Sequence, residues 1–204
     1  LAIISGGINR ILPCHASMLA TQGELVFMRQ TLTLATACIN TTPLDLEGNM
    51  QLIKQAVADA AAGQADLLLL PELSLTGYGC EDMFFVADWL DTLPAELASL
   101  ASQLPEQLLV AVGFPLHIRG GQVFNAVALL SANGIHGIVC KQYLARNGIH
   151  YEPRWFTPWP AGHVTEIEFN GQPVPVGDLV FDVAGVRLGF EICEDSWVAA
   201  RPGR

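Results

Sequence analysis

Glu72, Lys141 and Cys193 stand far apart in the chain, yet together they supply a carboxylate, an ammonium and a thiol. Those are the parts needed for nucleophilic attack on an acyl or nitrile carbon. An ordinary thiol is mostly protonated near neutral pH, so a nucleophilic cysteine needs a base and a cation beside it. Glu72 can take the proton. Lys141 can favour the thiolate and then donate to the oxygen that turns negative in a tetrahedral intermediate, and the backbone N–H after Cys193 can supply a second donor. Once protonated, Glu72 can return the proton to a poor nitrogen leaving group, which directs the chemistry toward amides and nitriles.

Each of the three follows an apolar run. Residues 67–70 are four leucines stopped by Pro71, the pattern of a central strand covered on both faces, and Glu72 comes next. Residues 135–140 form a second apolar run, interrupted by His136 and Gly137, that ends at Lys141. Residues 185–190 alternate as a buried strand would and deliver Cys193 within Glu191-Ile192-Cys193-Glu194-Asp195. One charge at a strand end is ordinarily just solvated, and one cysteine ordinarily just buried. Three complementary groups at strand ends instead form the kind of site that open α/β sheets gather there.

Around these runs the pattern alternates. Residues 48–62 carry an apolar stripe at Leu52, Ile53, Ala56, Val57 and Ala60, which predicts an amphipathic helix closed by Gly63. Residues 93–104 predict a second helix with Pro94 in its first turn, and 31–39, 108–114 and 123–130 predict strands. Asn133-Gly134 predicts a hairpin turn into 135–139. Residues 150–175 are rich in Pro, Gly and aromatics and predict a long loop over a site. The pattern alone gives an α/β fold with a mixed sheet.

Composition narrows the class. At 204 residues, 51% hydrophobic and 15% charged, the chain can bury a large core, and no apolar run approaches the ~20 residues of a bilayer span. A formal net charge of -10 and a pI near 4.7 oppose nucleic-acid binding, which needs basic surface. Cys14, Cys38, Cys80, Cys140 and Cys193 are scattered, with no CxxC pair. That usage fits a reducing cytoplasm and disfavours a zinc site.

Pro71-Glu72-Leu73, Thr76-Gly77-Tyr78, and the stretch from Gly185 through Gly189 to Ile192-Cys193-Glu194-Asp195 give a wider signal. With Lys141 between them, the chain resembles the nitrilase, or carbon-nitrogen hydrolase, superfamily from about residue 32 onward. The resemblance implies a four-layer α-β-β-α sandwich in which Glu72, Lys141 and Cys193 are the catalytic triad. It also implies that Glu152 supports the lysine, where the plainer reading is a carboxylate on a surface loop.

A narrower set is similar to the amidase domain of glutamine-dependent NAD synthetases: Arg154-Trp155-Phe156-Thr157-Pro158-Trp159, Pro175-Val176-Gly177-Asp178 and Cys193-Glu194-Asp195-Ser196-Trp197. This likeness implies hydrolysis of glutamine through a thioester, with Tyr78 and Glu194 lining the glutamine pocket. It implies no cofactor for the amidase, ATP and Mg on a synthetase domain of the same polypeptide, and a homo-oligomer. Trp155 and Trp159 can equally be hydrophobic cover over a loop. Two other classes stay open: a stand-alone amidase, carbamoylase or nitrilase, and a catalytically silent binding or assembly module.

The ends carry two further expectations. Met28-Arg29-Gln30 opens directly onto the strand-like 31–39, so residues 1–27 are expected to be an extension and 28–204 the hydrolase domain. Superfamily members continue well past the nucleophile, so the domain is expected to be incomplete and truncated at its C-terminal side.

Overall fold

The computed structural model describes residues 11–13, 32–118 and 120–203. In chain order the elements are β1 (Ile11–Pro13), β2 (Leu34–Thr36), α1 (Leu46–Ala62), β3 (Leu67–Leu69), α2 (Ala87–Leu90), α3 (Leu93–Ala101), β4 (Leu109–Ile118), β5 (Gln122–Ser131), β6 (Gly134–Cys140), α4 (Glu152–Trp155), β7 (Val164–Phe169), β8 (Gln172–Gly177), β9 (Val180–Val183) and β10 (Val186–Gly189). Short 3-10 turns cover Glu81–Phe85 and Cys193–Ser196.

Seven strands form one mixed sheet in the order β2-β3-β4-β5-β6-β8-β7. β2, β3 and β4 run parallel, β4-β5-β6 is an antiparallel meander, and β8 returns parallel to β6. The second sheet is β1-β9-β10. The backbone of Ile11–Pro13 runs parallel to β9. Residues 1–10 and 14–31, on which most of the expected extension and the start at Met28 fall, lie outside the described residues.

Side-chain alternation explains the layering. In β4, Val110, Val112, Phe114 and Leu116 join one core with Ile53, Val57 and Ala60 of α1 and Leu93, Leu97 and Leu100 of α3. Leu109 and Ala111 face the other way. They join Leu67, Leu69, Val127, Leu129 and Val139, and this face packs against Leu179, Phe181, Val183, Leu188, Phe190 and Ile192 of the second sheet and its extension. Helix, sheet and sheet are three of the layers of the α-β-β-α sandwich. A second helix layer is not among the described residues. Nor does any described helix have the length and apolar character to cross a membrane.

Gly137 explains why the 135–140 run is interrupted. A Cβ there would come 2.9 Å from Leu179 Cδ1 and 3.0 Å from Phe181 Cε1, so its absence lets the second sheet press onto the first. The α1 helix opens at Leu46 rather than at 48 because Asp45 caps it, its Oδ1 accepting from Gly48 N at 2.9 Å. At the sheet edge β2 is confined to Leu34–Thr36, shorter than 31–39.

The expected loop over 150–175 is the main correction. It contains α4 and a β7-β8 hairpin that turns through Asn170 and Gly171, both at positive φ (50 and 74). Pro173 and Pro175 obscured the strand by removing two amide donors. β8 tolerates them because its ladder to β6 involves Val176 and Gly177, beyond both prolines. Val174 and Val176 meanwhile fill the core.

Candidate active site

Glu72 leaves β3 through a tight turn. Gly77 N donates to Leu73 O at 2.8 Å, Leu75 N donates to Gly113 O at 3.0 Å, and Leu73 adopts φ 50. Gly113 of β4 lies directly against this turn. A Cβ there would stand 2.5 Å from both Leu73 N and Pro71 O, so only glycine lets the backbone carrying Glu72 approach so closely. Glu72 Oε1 accepts from Asn125 Nδ2 at 2.7 Å and from Lys141 Nζ at 2.6 Å.

Lys141 follows β6 on the face between the sheets. Its backbone N donates to Asn125 O at 2.8 Å, and its side chain has no solvent exposure. Nζ donates to Glu152 Oε1 at 2.8 Å as well as to Glu72. Burial pulls the ammonium toward neutrality, but the carboxylates of Glu72 and Glu152 outweigh it, and the lysine pKa ends above its ordinary value. This is a cation held in place. Glu152 opens α4 and is buried rather than a surface loop carboxylate: its Oε2 accepts from Ala145 N at 2.7 Å and its Oε1 from Tyr78 OH at 2.9 Å.

Cys193 begins the short turn after β10 with φ 49, a left-handed conformation unusual for a residue with a Cβ. Its side chain is exposed. Burial of the thiol environment and then the Glu72 carboxylate raise its pKa, while Lys141 pulls it down without prevailing. The cation therefore does not outweigh burial and the carboxylates.

The carboxylates beside Cys193 have separate partners. Asp195 is buried and accepts from Ile192 N (3.0 Å), Gln142 N (3.1 Å) and Tyr143 N (2.8 Å). Burial lifts its carboxyl to about 6, against the opposing pull of these N–H groups and of Lys141. Glu191 is also buried and accepts from Gly203 N at 3.0 Å. Glu194, partly exposed, lies within electrostatic reach of the thiol.

Tyr78 keeps 38% of its surface exposed. Its hydroxyl lies 3.3 Å from His150 Nδ1 as well as against Glu152. Burial and then Glu152 raise its phenol strongly. The Arg154–Trp159 stretch divides in two. Arg154 grips Asp82 with two bonds, 2.9 and 2.8 Å, and Trp155 Nε1 adds a third at 3.0 Å. Trp159 packs in the core against Phe124, with ring centroids 4.9 Å apart, and is structural cover.

The structure thus brings Glu72, Lys141 and Glu152 into direct contact and places Tyr78, Cys193 and Glu194 around them. Sequence reasoning missed Asn125 and did not separate Asp195 from its neighbours. Asn125 had a signal, a lone amide in the apolar run Val123-Phe124-Asn125-Ala126-Val127. Asp195 had none, because two of its three partners, Gln142 N and Tyr143 N, lie on a segment distant in sequence.

A layered α/β fold with a cysteine on a left-handed turn, near a buried carboxylate–ammonium cluster past the strand ends, defines the class: an α/β enzyme. Residues 32–200 match the carbon-nitrogen hydrolase family, and the chain belongs to that family. Among curated relatives it is 33% identical over 185 residues to the glutamine-dependent NAD(+) synthetase of Bos taurus and 34% identical over 185 residues to that of Homo sapiens. Each alignment takes in 86% of this chain and 26% of the relative, so the chain spans about a quarter of the length of these proteins. Among solved structures, a glutamine-dependent NAD(+) synthetase from Cytophaga hutchinsonii superimposes with TM-score 0.75 at 38% identity, over 80% of this chain and 28% of that one. The NitN amidase from Neterenkonia sp. AN1 (TM-score 0.56, 21% identity, 71% and 56% of the two chains) shares the fold.

Proposed function

We propose that this carbon-nitrogen hydrolase domain hydrolyses the side-chain amide of glutamine and supplies ammonia to an ATP- and Mg-using synthetase domain that makes NAD. One observation carries the reading. Lys141 Nζ is clamped between Glu72 Oε1 (2.6 Å) and Glu152 Oε1 (2.8 Å), and the Cys193 thiol feels all three charges. The proton on sulfur passes to Glu72 as sulfur bonds to the amide carbon. The oxygen, now negative, is met by Lys141 Nζ. Glu72 returns the proton to nitrogen, the C–N bond breaks, and ammonia leaves a glutamyl thioester. Water then gives a proton to Glu72 and adds to the thioester carbon; the C–S bond breaks, sulfur regains the proton, and glutamate departs.

Glutamine is favoured among amides for two reasons. Glu194, close enough to influence the thiol, offers a carboxylate for the substrate's α-ammonium, and Tyr78, exposed and bonded to Glu152, can line the same pocket. Relatives at 33% to 38% identity are also named for glutamine-dependent NAD synthesis. Ammonia release by the intact protein from glutamine, propionamide, a carbamoyl amino acid and a simple nitrile tests the assignment. A clear preference for glutamine is expected. Faster turnover of the simple compounds would make it a stand-alone amidase, carbamoylase or nitrilase, and no turnover of any would make it a silent module.

A further inference from the structure

Cys193 and Lys141 come from different sheets, and something must hold them in register. The second sheet reaches the first mainly through apolar packing of Phe181, Leu188, Phe190 and Ile192 against Leu129 and Val139. Apolar contacts are not directional and set separations loosely. Hydrogen bonds are directional, and at this point the structure places three on one side chain. Asp195 Oδ1 accepts from Gln142 N and Tyr143 N, the two amides that follow Lys141. Asp195 Oδ2 accepts from Ile192 N, the amide immediately ahead of Cys193. The Asp195 backbone N also donates to Ile192 O at 3.1 Å, closing the turn that holds Cys193 at φ 49. Farther out, Tyr143 OH donates to Ala200 O at 2.9 Å and straps the same two segments a second time.

We propose that Asp195 is a positioning residue for the hydrolysis: its carboxylate bridges the backbone just after Lys141 to the backbone just before Cys193, fixing the nucleophile against the oxyanion donor. The inference rests on the reading of Cys193 as the nucleophile. A capping aspartate that served only its own turn would need no partner on another segment. Here one oxygen is given wholly to the other sheet's segment. Charge suits the task, since an ionised carboxylate accepts at both oxygens, whereas an amide accepts at one and presents hydrogens at the other. Asp195→Asn therefore keeps the volume and severs the bridge on one side. Asp195→Ala removes it entirely and leaves three N–H groups without their acceptor.

The test is carried out on the intact protein with a glutamine-shaped chloroketone and with iodoacetamide. The chloroketone reacts with its carbonyl oxygen held at Lys141 Nζ: sulfur bonds to the methylene carbon as the C–Cl bond breaks, and chloride leaves a thioether. Iodoacetamide alkylates the thiol with no such requirement. In folded Asp195→Asn, the saturating rate of inactivation by the chloroketone should fall about tenfold or more, with its half-saturating concentration and the iodoacetamide rate both within about threefold of wild type. A merely structural aspartate would lower the melting temperature and leave the ratio of the two rates unchanged. An unchanged ratio in folded Asp195→Asn, with wild type labelled at Cys193, overturns the bridge alone. Absence of any adduct on Cys193 in wild type overturns the bridge and the nucleophile assignment together.

Discussion

Lys141 Nζ lies 2.6 Å from Glu72 Oε1, and the pair is asymmetric: the lysine side chain has no exposure while the glutamate keeps 18%. The cation is locked in the interior, and the carboxylate keeps part of its surface open. Removing the cation would strand the carboxylates of Glu72 and Glu152 against each other. Lys141→Met should therefore destabilise the intact protein by about 3–5 kcal/mol in urea unfolding. Adding Glu152→Gln to that variant should recover part of the loss. Unchanged unfolding midpoints in both variants would contradict a charged cluster.

The same lysine has a pH signature. Its folded pKa is raised, so the stability it contributes is complete below the unfolded value of about 10.4 and is lost as pH rises through the folded one. Stability measured by denaturant between neutral pH and strong alkali should fall more steeply above that point in wild type than in Lys141→Met. Parallel curves would show that the ammonium is not what the fold selects.

Cys193 should titrate as a hindered thiol. Burial and then Glu72 raise it above 9.0, so alkylation by iodoacetamide should climb only in the alkaline range. Glu72→Gln removes the second of these causes. The alkylation profile should then move to lower pH even as ammonia release is lost, because the neutral amide cannot accept the thiol's proton. A shift to higher pH would mean that Glu72 lowers rather than raises the thiol.

Gly113 predicts a failure transmitted through the backbone. In Gly113→Ala the new methyl would meet Leu73 N and Pro71 O at 2.5 Å, contacts that can relax only if the Glu72 turn moves away from β4. A loss of about 1–3 kcal/mol is expected, together with a fall in the rate of ammonia release larger than any change in the glutamine concentration that half-saturates it. Normal turnover would show that the turn has slack the close packing does not suggest.

Much of this was legible in the sequence. Leucine runs and alternation located the central strands, because burial on both faces of a parallel segment leaves little choice of residue type. Glu72, Lys141 and Cys193 were visible because each follows an apolar run. The β7-β8 hairpin was hidden by Pro173 and Pro175, which propensity counts against a strand but which fall outside the ladder of β8 to β6. Asn125 and Asp195 were obscured for another reason: Glu72, the partner of Asn125, and Gln142 and Tyr143, two partners of Asp195, are more than fifty positions away, and only folding brings them together. The direction of the Cys193 shift also needed the structure, because burial, Glu72 and Lys141 compete and only their arrangement decides the balance.

The most direct measurement traps the intermediate. The intact protein is mixed with glutamine, quenched in acid within one turnover, digested, and its Cys14, Cys38, Cys80, Cys140 and Cys193 peptides are weighed by mass spectrometry. A glutamyl group on the Cys193 peptide, removable by hydroxylamine and absent in Cys193→Ala together with ammonia release, is the predicted result. A glutamyl group on another cysteine, or continued ammonia release by Cys193→Ala, would contradict it.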